Sequence, residues 1–323
     1  MTRREFLLAS SALALGGCRV WDGDDGLWSD GSVCSSAGGI RVRFLGSGAF
    51  GWKPEWAKNP HMRRQSSVLI ENKVLIDFTP CSFDFLPDGC HPEVLFQTHS
   101  HGDHYNPEAA VRSGVRRMYV QESWAATARR QVAAAADKLG LPVPRVIALP
   151  FAKPVNVCGL TVTGVPANHS TSLLTDGVLE RTSLYLVEKG SSRLLYATDT
   201  GGIPGDAARM IGIDQHITAK DWAGHYANNP MVREPAPITA FIMEATNGDL
   251  DDDFRVFVHS SVQTVARTVC ALTKTGRYTP PPGQRVYLTH LGLKYRDWPA
   301  EKINAELPPS LCAASDGLEV VLG

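Results

Sequence analysis

The sequence has little net charge, no pair of closely spaced cysteines and no long apolar run. Its 32 basic and 33 acidic residues give a formal net charge of -1, so its overall charge does not favour binding to nucleic acid. None of its 7 cysteines belongs to a C-x-x-C pair, which excludes zinc-ribbon and dithiol redox sites. No linker, repeat or low-complexity segment divides the chain after residue 39. We therefore expect residues 40–323 to form one domain.

The first residues have the composition of an export signal. Arg3 and Arg4 precede a short apolar run, and small residues lead from that run to Cys18. The run is too short for a membrane-spanning helix, which needs about 20 apolar residues. The twin arginine and the Leu-Gly-Gly-Cys sequence resemble a twin-arginine signal peptide with a bacterial lipobox, which implies cleavage after residue 17 and a lipid on Cys18. We expect an exported, membrane-anchored lipoprotein that faces the periplasm or the cell surface, with the Gly, Ser and Asp-rich residues 18–39 as a flexible tether.

The other six cysteines allow two interpretations. A disulfide between Cys81 and Cys90 would close a short loop, and an oxidising compartment would permit it. Buried free thiols are the alternative.

Potential metal ligands are concentrated after one predicted strand, the apolar residues 94–96. The ligands are His99, His101, Asp103 and His104. Histidines two residues apart in an extended turn can bind one ion from the same side, whereas ligands on a helix would be four residues apart. Gly102 permits a turn that directs the last two ligands elsewhere, as a second adjacent ion would require. Imidazole and carboxylate ligands suit zinc and also manganese or iron, so the residues predict one or two ions without fixing the element.

This H-S-H-G-D-H sequence resembles the H-x-H-x-D-H signature of the metallo-β-lactamase superfamily of hydrolases. The resemblance implies an α/β fold, a four-layer αββα sandwich of the metallo-β-lactamase type, and two divalent metal ions, with Zn2+ expected first. Predicted strands alternate with predicted helices along the chain, as such a sandwich requires. The predicted strands include residues 41–45, 66–70, 73–76, 143–149, 161–165, 183–187 and 193–198, and the predicted helices are residues 107–111, 122–139 and 262–273.

Three further ligands are expected where predicted strands end, in the order that the resemblance implies. His169 would complete a three-histidine site with the first two histidines of the motif. Asp199 ends an apolar strand and resembles the carboxylate that bridges the two ions in this superfamily, while His290 resembles the last ligand of the second ion. Asp77 ends the strand before the motif and resembles a carboxylate that orients the ligand loop without binding metal. The expected metal ligands are therefore His99, His101, Asp103, His104, His169, Asp199 and His290.

A glycine-rich stretch near the start of the domain matches the residue pattern of a dinucleotide-binding motif but lacks the helix that the motif requires. Gly46, Gly48 and Gly51 give G-x-G-x-x-G after a predicted strand. A helix would have to begin at the third glycine, but Trp52 and Pro54 interrupt that segment. We expect a tight turn here and no nucleotide cofactor.

The second half of the chain resembles one branch of the superfamily, the phosphodiesterases that include transfer-RNA 3′-processing endonucleases and phosphoribosyl cyclic phosphodiesterases. The motifs that carry this resemblance are Glu244-Ala245-Thr246, His259 before a predicted helix, and Thr289-His290. The resemblance implies that a hydroxide between the two ions attacks phosphorus in line. His259 would protonate the leaving alkoxide, with Glu244 raising its pKa and fixing its tautomer. The catalytic residues expected on this basis are Asp103, Glu244 and His259.

The chain departs from this branch at several points. Met243 stands where the nucleases carry histidine before Glu-Ala-Thr, and no basic insertion for transfer RNA is visible. Residues 52–65 contain no cysteine, whereas the cyclic phosphodiesterases commonly have a cysteine-rich zinc loop there. We therefore expect a small phosphodiester substrate, possibly cyclic, and a homodimer by analogy with related enzymes.

Two other functions remain open. A lactonase or other carboxylic-ester hydrolase would use the same two ions, and His-Tyr-Asn-Pro at residues 104–107 resembles sugar-lactone hydrolases. A non-catalytic metal-binding lipoprotein is the third interpretation. Residues 201–237 form a long irregular connection in which Trp222, His225 and Tyr226 either cover the substrate or pack on the surface.

Overall fold

Two mixed β-sheets of seven strands each form the centre of the fold in the computed structural model, which describes residues 38–169, 177, 179–252 and 254–323. The predicted signal peptide, Cys18 and residues 19–37 of the tether lie outside the described residues. The first sheet has the order β14-β1-β2-β3-β4-β5-β6 and the second the order β13-β12-β11-β10-β9-β8-β7. The strands of the first sheet are β1 Ile40–Gly46, β2 Ser67–Ile70, β3 Val74–Ile76, β4 Val94–Gln97, β5 Arg117–Gln121, β6 Arg145–Leu149 and β14 Glu319–Leu322. Those of the second are β7 Pro154–Val157, β8 Leu160–Pro166, β9 Ser183–Lys189, β10 Ser192–Ala197, β11 Ala240–Glu244, β12 Val286–Thr289 and β13 Leu311–Ala313.

Helices cover the outer faces of the two sheets. The α-helices are Pro107–Arg112, Ala125–Leu139, Gly205–Met210, Ala219–Asp221, Val262–Lys274 and Ala300–Asn304. Short 3-10 helices span Pro54–Lys58, Pro80–Phe85, Glu122–Trp124, Phe254–Phe257 and Leu293–Tyr295, and one π-helical turn spans Trp222–Tyr226. None of the helices in the described ranges is long and apolar enough to cross a membrane.

Three apolar clusters hold these layers together. The central cluster lies between the sheets and includes Phe96 from the first sheet and Tyr196 from the second, both fully buried. A second cluster packs the first sheet against helix Ala125–Leu139, and a third packs the other sheet against helix Val262–Lys274. The predicted αββα sandwich is confirmed.

The two long helices begin and end where their sequences favour it. Helix Ala125–Leu139 is rich in alanine, which has the best helix propensity, and it ends at Gly140 in the left-handed conformation at φ 62°. Helix Val262–Lys274 starts after Ser261, whose hydroxyl oxygen accepts the backbone N–H of Thr264 at 3.1 Å. This cap, two residues after His259, fixes the start of the helix.

Parallel strands place their carboxyl ends, and the loops that follow, at one edge of each sheet. Strands β3 to β6 are parallel in the first sheet, and β10 to β13 are parallel in the second. Their carboxyl ends are therefore the natural place for a site.

The turns at the start of the domain agree with the sequence. Glu71 and Asn72 both have positive φ, 52° and 56°, as a tight turn between antiparallel β2 and β3 requires. A Cβ atom on Gly46 would lie 2.0 Å from the carbonyl oxygen of Gln65. The glycine-rich stretch is thus a close backbone crossing, and the next helical segment is the short turn Pro54–Lys58.

The cysteines in the described part of the chain, including Cys81 and Cys90, are free thiols.

The long connection, residues 201–237, is held against the domain by two arginines. The guanidinium of Arg193 donates to the carbonyl of Ile211 at 2.7 Å, and that of Arg277 donates to the carbonyl of Ile217 at 2.8 Å. Because Arg193 lies at the start of β10 and Asp199 follows its other end, these contacts favour surface packing over a lid.

Candidate metal centre

The predicted ligands come from the ends of four different strands. His99 and His101 follow β4, and His169 follows β8. Asp199 follows β10 and His290 follows β12, each in the left-handed conformation at φ 48° and 49°. Non-glycine residues in this conformation are strained, and such strain is concentrated at functional sites.

The first group of potential ligands contains three histidines whose nitrogens lie within 4.8 Å of one another. They are His99, His101 and His169. The Nε2 of His169 is 3.3 Å from the Nδ1 of His101. Burial and neighbouring imidazoles lower the pKa of His99 well below its usual value, so this ring is neutral and available as a ligand.

The second group lies beside the first and consists of Asp103, His104 and His290. The Nε2 atoms of the two histidines are 3.0 Å apart, and that of His290 is 3.4 Å from the Oδ2 of Asp103. Asp199 lies between the two groups, because its Oδ2 is 2.8 Å from His104 Nε2 and its Oδ1 is 3.7 Å from His169 Nε2. This position fits the bridging carboxylate expected from the sequence.

Asp77 orients the second group from behind. Its Oδ2 accepts a hydrogen bond from His104 Nδ1 at 2.7 Å, and its Oδ1 accepts the backbone N–H of Thr98 at 2.8 Å. Burial would lower the pKa of His104, but Asp199, Asp103 and Asp77 raise it well above its usual value. A site that stabilises a proton this strongly stabilises positive charge, and a divalent cation supplies the same charge.

The hydrogen bonds determine the tautomers of the ligating rings. The hydroxyl of Thr98 donates to Asp77, so it accepts from Nδ1 of His99 at 3.0 Å. The Nδ1 of His169 donates to the carbonyl of Val258 at 3.2 Å. The Nε2 of His99 is consequently unprotonated, and it is buried with no hydrogen-bond partner among the described residues.

An orphaned, buried imidazole nitrogen of this kind is costly unless it binds something. The residues therefore fit divalent metal ions, with Nε2 of four histidines directed at the centre. These histidines are His99, His104, His169 and His290.

Glu244 and His259 meet at the side of this centre, although they are fifteen residues apart in the chain. The Nδ1 of His259 donates to the Oε1 of Glu244 at 3.0 Å and lies 3.8 Å from Asp199. Glu244 is fully buried and accepts the backbone N–H groups of Thr200 at 2.6 Å and Thr246 at 3.1 Å. Burial alone would lower the pKa of His259, but Glu244 raises it to about 9.

Two contributors to the centre were not identified from the sequence. Glu180 is buried and accepts hydrogen bonds from the backbone N–H of Ser100, at 2.6 Å, and from its hydroxyl. Ser100 lies between His99 and His101, so Glu180 holds the first ligand loop in place. Thr246 was part of a recognised motif, but its bond to His290 Nδ1 at 2.7 Å had no signal of its own.

The comparisons with known proteins agree with the fold. A profile of the family described as "Beta-lactamase superfamily domain" matches residues 82–290. A search of curated proteins gave no significant match.

Several solved structures share the fold at low sequence identity. A diphosphatase from the PhnP family is 20% identical, with a TM-score of 0.54, and the alignment covers 87% of this chain and 96% of that chain. Zn2+-bound PqqB from Methylobacterium extorquens is 18% identical, with a TM-score of 0.57 and coverage of 87% and 99%. The short form of human tRNase Z is 16% identical, with a TM-score of 0.55 and coverage of 88% and 99%.

Proposed function

The chain belongs to the β-lactamase superfamily, and from this premise we propose that it is a two-metal hydrolase acting on a small phosphodiester, linear or cyclic. The observation that carries the proposal is the Glu244–His259 pair, joined at 3.0 Å beside the histidine and aspartate groups. Hydrolysis of a diester with an alkoxide leaving group needs a proton donor, and this pair supplies one.

The two metal ions would share the ligands described above. His99, His101 and His169 would hold the first ion, Asp103, His104 and His290 the second, and Asp199 both. Zinc suits this set, and manganese or iron are the alternatives. When bound, the ions would supply Lewis acidity towards the substrate oxygens and activate water at neutral pH.

His259 would act as the general acid for the leaving group. Its Nδ1–H is bonded to Glu244, so the proton on Nε2 is the one available to the substrate. Glu244 stabilises the imidazolium before transfer and keeps the ring oriented afterwards. The backbone N–H groups of Thr200 and Thr246 hold Glu244 itself in position.

The likeness of residues 104–107 to lactone hydrolases has a structural explanation. The side chain of Asn106 caps helix Pro107–Arg112 by accepting the N–H of Ala109 at 2.9 Å, and Tyr105 is buried. Tyr105 and Asn106 thus have structural roles, and the likeness does not favour a lactonase.

Turnover of phosphodiesters and lactones at equal metal loading tests the function. We expect hydrolysis of bis(4-nitrophenyl) phosphate well above that of a lactone panel, and loss of both in His101→Ala. Faster turnover of lactones would establish a carboxylic-ester hydrolase instead. Inactivity on both panels with full metal occupancy would establish a metal-binding protein.

Export and lipidation are separate proposals that rest on the first residues of the sequence. We propose that the chain is anchored to a membrane through a lipid on Cys18 after export by the twin-arginine route. Labelling of cells with a radioactive fatty acid should mark the wild type and leave Cys18→Ala unlabelled. Labelling of both proteins alike would reject the anchor.

A further inference from the structure

We propose that the turn Phe254–Phe257, together with Phe50, forms a lip beside the metal centre that binds an apolar ester group of the substrate. The preferred substrate would then be a phosphodiester with one alkyl or aryl substituent. This inference rests on the proposed phosphodiesterase function and adds the chemical class of the substrate.

The turn Phe254–Phe257 displays large apolar side chains to solvent. Phe254 is 84% exposed and Phe257 is 74% exposed, the highest values among the large apolar residues in the described ranges. Leu250, just before the turn, is 43% exposed. Single exposed apolar residues are common on protein surfaces, but a cluster in one short segment indicates a binding surface.

Contacts on one side tie the turn to the first ligand group. The carbonyl of Val258, directly after the turn, accepts the Nδ1–H of His169 at 3.2 Å. A Cβ atom on Gly201 would lie 2.5 Å from the carbonyl oxygen of Phe257. Only glycine permits this approach, and Gly201 lies two residues after Asp199.

Contacts on the other side tie the turn to the second ligand group. The guanidinium of Arg255 lies 5.9 Å from the ring centroid of Phe50. The backbone N–H of Phe50 donates to the Oδ2 of Asp103 at 3.1 Å. The turn therefore runs alongside the centre, from the side of His169 to the side of Asp103.

The lip combines apolar surface with positive charge. Arg255 also lies 5.7 Å from the ring centroid of Phe254, and its backbone carbonyl accepts the N–H of His259 at 2.8 Å. A cation between aromatic rings beside a metal centre suits a ligand that is anionic at the reacting group and apolar next to it. A phosphodiester with an apolar substituent has this chemistry.

Exposed phenylalanines can also insert into a lipid surface. Two hydrogen bonds favour binding of a substrate group over insertion into lipid. The bond from Phe50 to Asp103 and the bond from His169 to Val258 place the apolar surface next to the reacting group. Binding to a membrane surface is the alternative that the following experiment distinguishes.

A series of soluble 4-nitrophenyl phosphodiesters that differ in the second substituent tests the lip. Methyl, hexyl and phenyl esters would be used as monomers in solution with the metal-loaded full-length protein. We expect wild type to prefer the hexyl and phenyl esters, and the ratio of their kcat/KM to that of the methyl ester to fall about tenfold in the double variant Phe254→Ser/Phe257→Ser. The double variant Phe254→Leu/Phe257→Leu, which keeps apolar surface, should retain most of the hexyl preference.

Val143→Ser provides the matched control. Val143 is 59% exposed and precedes β6, which has the same direction as β4. It therefore lies at the amino ends of these strands, whereas His99 lies at their carboxyl ends. Its specificity ratio should equal that of wild type. Circular dichroism and metal content would be measured for every variant to confirm folding.

Three outcomes would overturn the proposal. The first is a wild type that turns over all esters equally, and the second is a serine variant with an unchanged ratio. The third is loss of binding to phosphatidylglycerol vesicles in the serine variant without a change in specificity, which would assign the lip to a membrane surface. Absence of turnover of any diester by metal-loaded wild type would instead reject the phosphodiesterase function, and the lip as a substrate site with it.

Discussion

The hydroxyl of Thr246 accepts a hydrogen bond from Nδ1 of His290 at 2.7 Å while it donates its own proton to Glu244. Since a hydroxyl has one proton and an ionised carboxylate only accepts, these directions follow from the chemistry of the groups. One short chain of bonds thus links a proposed metal ligand, His290, to the proposed general acid, His259, through Glu244. The arrangement fixes the tautomers of both rings.

Removal of the Thr246 hydroxyl should weaken the second metal site. Thr246→Val has nearly the same shape but leaves Nδ1 of His290 without an acceptor. We expect metal affinity or activity to fall about 10- to 100-fold, as for other residues that orient a ligating histidine. Thr246→Ser retains the hydroxyl and should remain close to wild type in a competitive zinc titration. Equal affinities for the two variants would exclude a role for this hydrogen bond.

Loss of the general acid should depend on the leaving group. His259→Ala should slow hydrolysis of diesters with alkoxide leaving groups by about 10²- to 10⁴-fold. The effect should be much smaller for 4-nitrophenolate, which leaves without protonation. Rates for a series of leaving groups in wild type and variant would show this as a steeper dependence on leaving-group basicity. An equal loss across the series, or no loss for alkoxides, would assign His259 another role.

Glu180 should support the first metal site in the way that Thr246 supports the second. It holds Ser100 between His99 and His101 by two hydrogen bonds. Glu180→Gln keeps the size but weakens the charge-assisted bonds, and we expect an approximately tenfold loss of affinity confined to one of the two ions. Stepwise zinc titration with metal analysis would detect it. Glu122→Gln, a change of the same type at an exposed residue outside the centre, is the matched control. Equal weakening of both ions would indicate general destabilisation instead.

A partly buried carboxylate that is not bonded to any proposed metal ligand provides a test of stability. Asp316 accepts the backbone N–H and the hydroxyl of Ser47 at 2.9 and 2.7 Å, and the backbone N–H of Arg64 at 2.6 Å. Asp316→Ala leaves these donors unpaired and should lower the free energy of unfolding by about 3 kcal/mol. Urea unfolding with and without metal would show the same loss in both states. An unchanged free energy would mean that water replaces the carboxylate at no cost.

The ligands could be predicted from the sequence because each belongs to a local pattern. His99 and His101 follow an apolar strand in a recognisable spacing, and Asp199 and His290 end other apolar strands. A strand end is visible in a linear sequence, and parallel strands place their carboxyl ends together. The helices and strands that were predicted have bounds that differ by a few residues from those observed, whereas β5, β7, β13 and β14 were not predicted.

The supporting residues could not be predicted because their roles arise only from the fold. Ser100 and Glu180 are 80 positions apart in the chain, and no periodicity connects them. In the sequence, nothing distinguishes the lip residue Phe257 from other phenylalanines, since its exposure beside the centre arises only from the fold. The position of residues 201–237 also depends on tertiary contacts, such as that between Arg193 and Ile211, which favour surface packing over a lid.

Metal removal should destabilise the protein through the ligands themselves. Without metal, Nε2 of His99 is buried with no hydrogen-bond partner in the part of the chain that the structure describes, and such a group costs about 1 to 3 kcal/mol. Binding to the folded state should add about 4 kcal/mol when free metal is a thousandfold above its dissociation constant. Thermal unfolding should therefore occur at a markedly lower temperature after treatment with a chelator and recover when zinc is added. His99→Ala removes the orphaned nitrogen but also the packing of a buried ring and its bond to Thr98, so its loss of stability should be smaller in the metal-free protein than in the presence of zinc. Asp316→Ala should lose stability equally in both conditions, and the same pattern in His99→Ala would contradict a metal at this nitrogen.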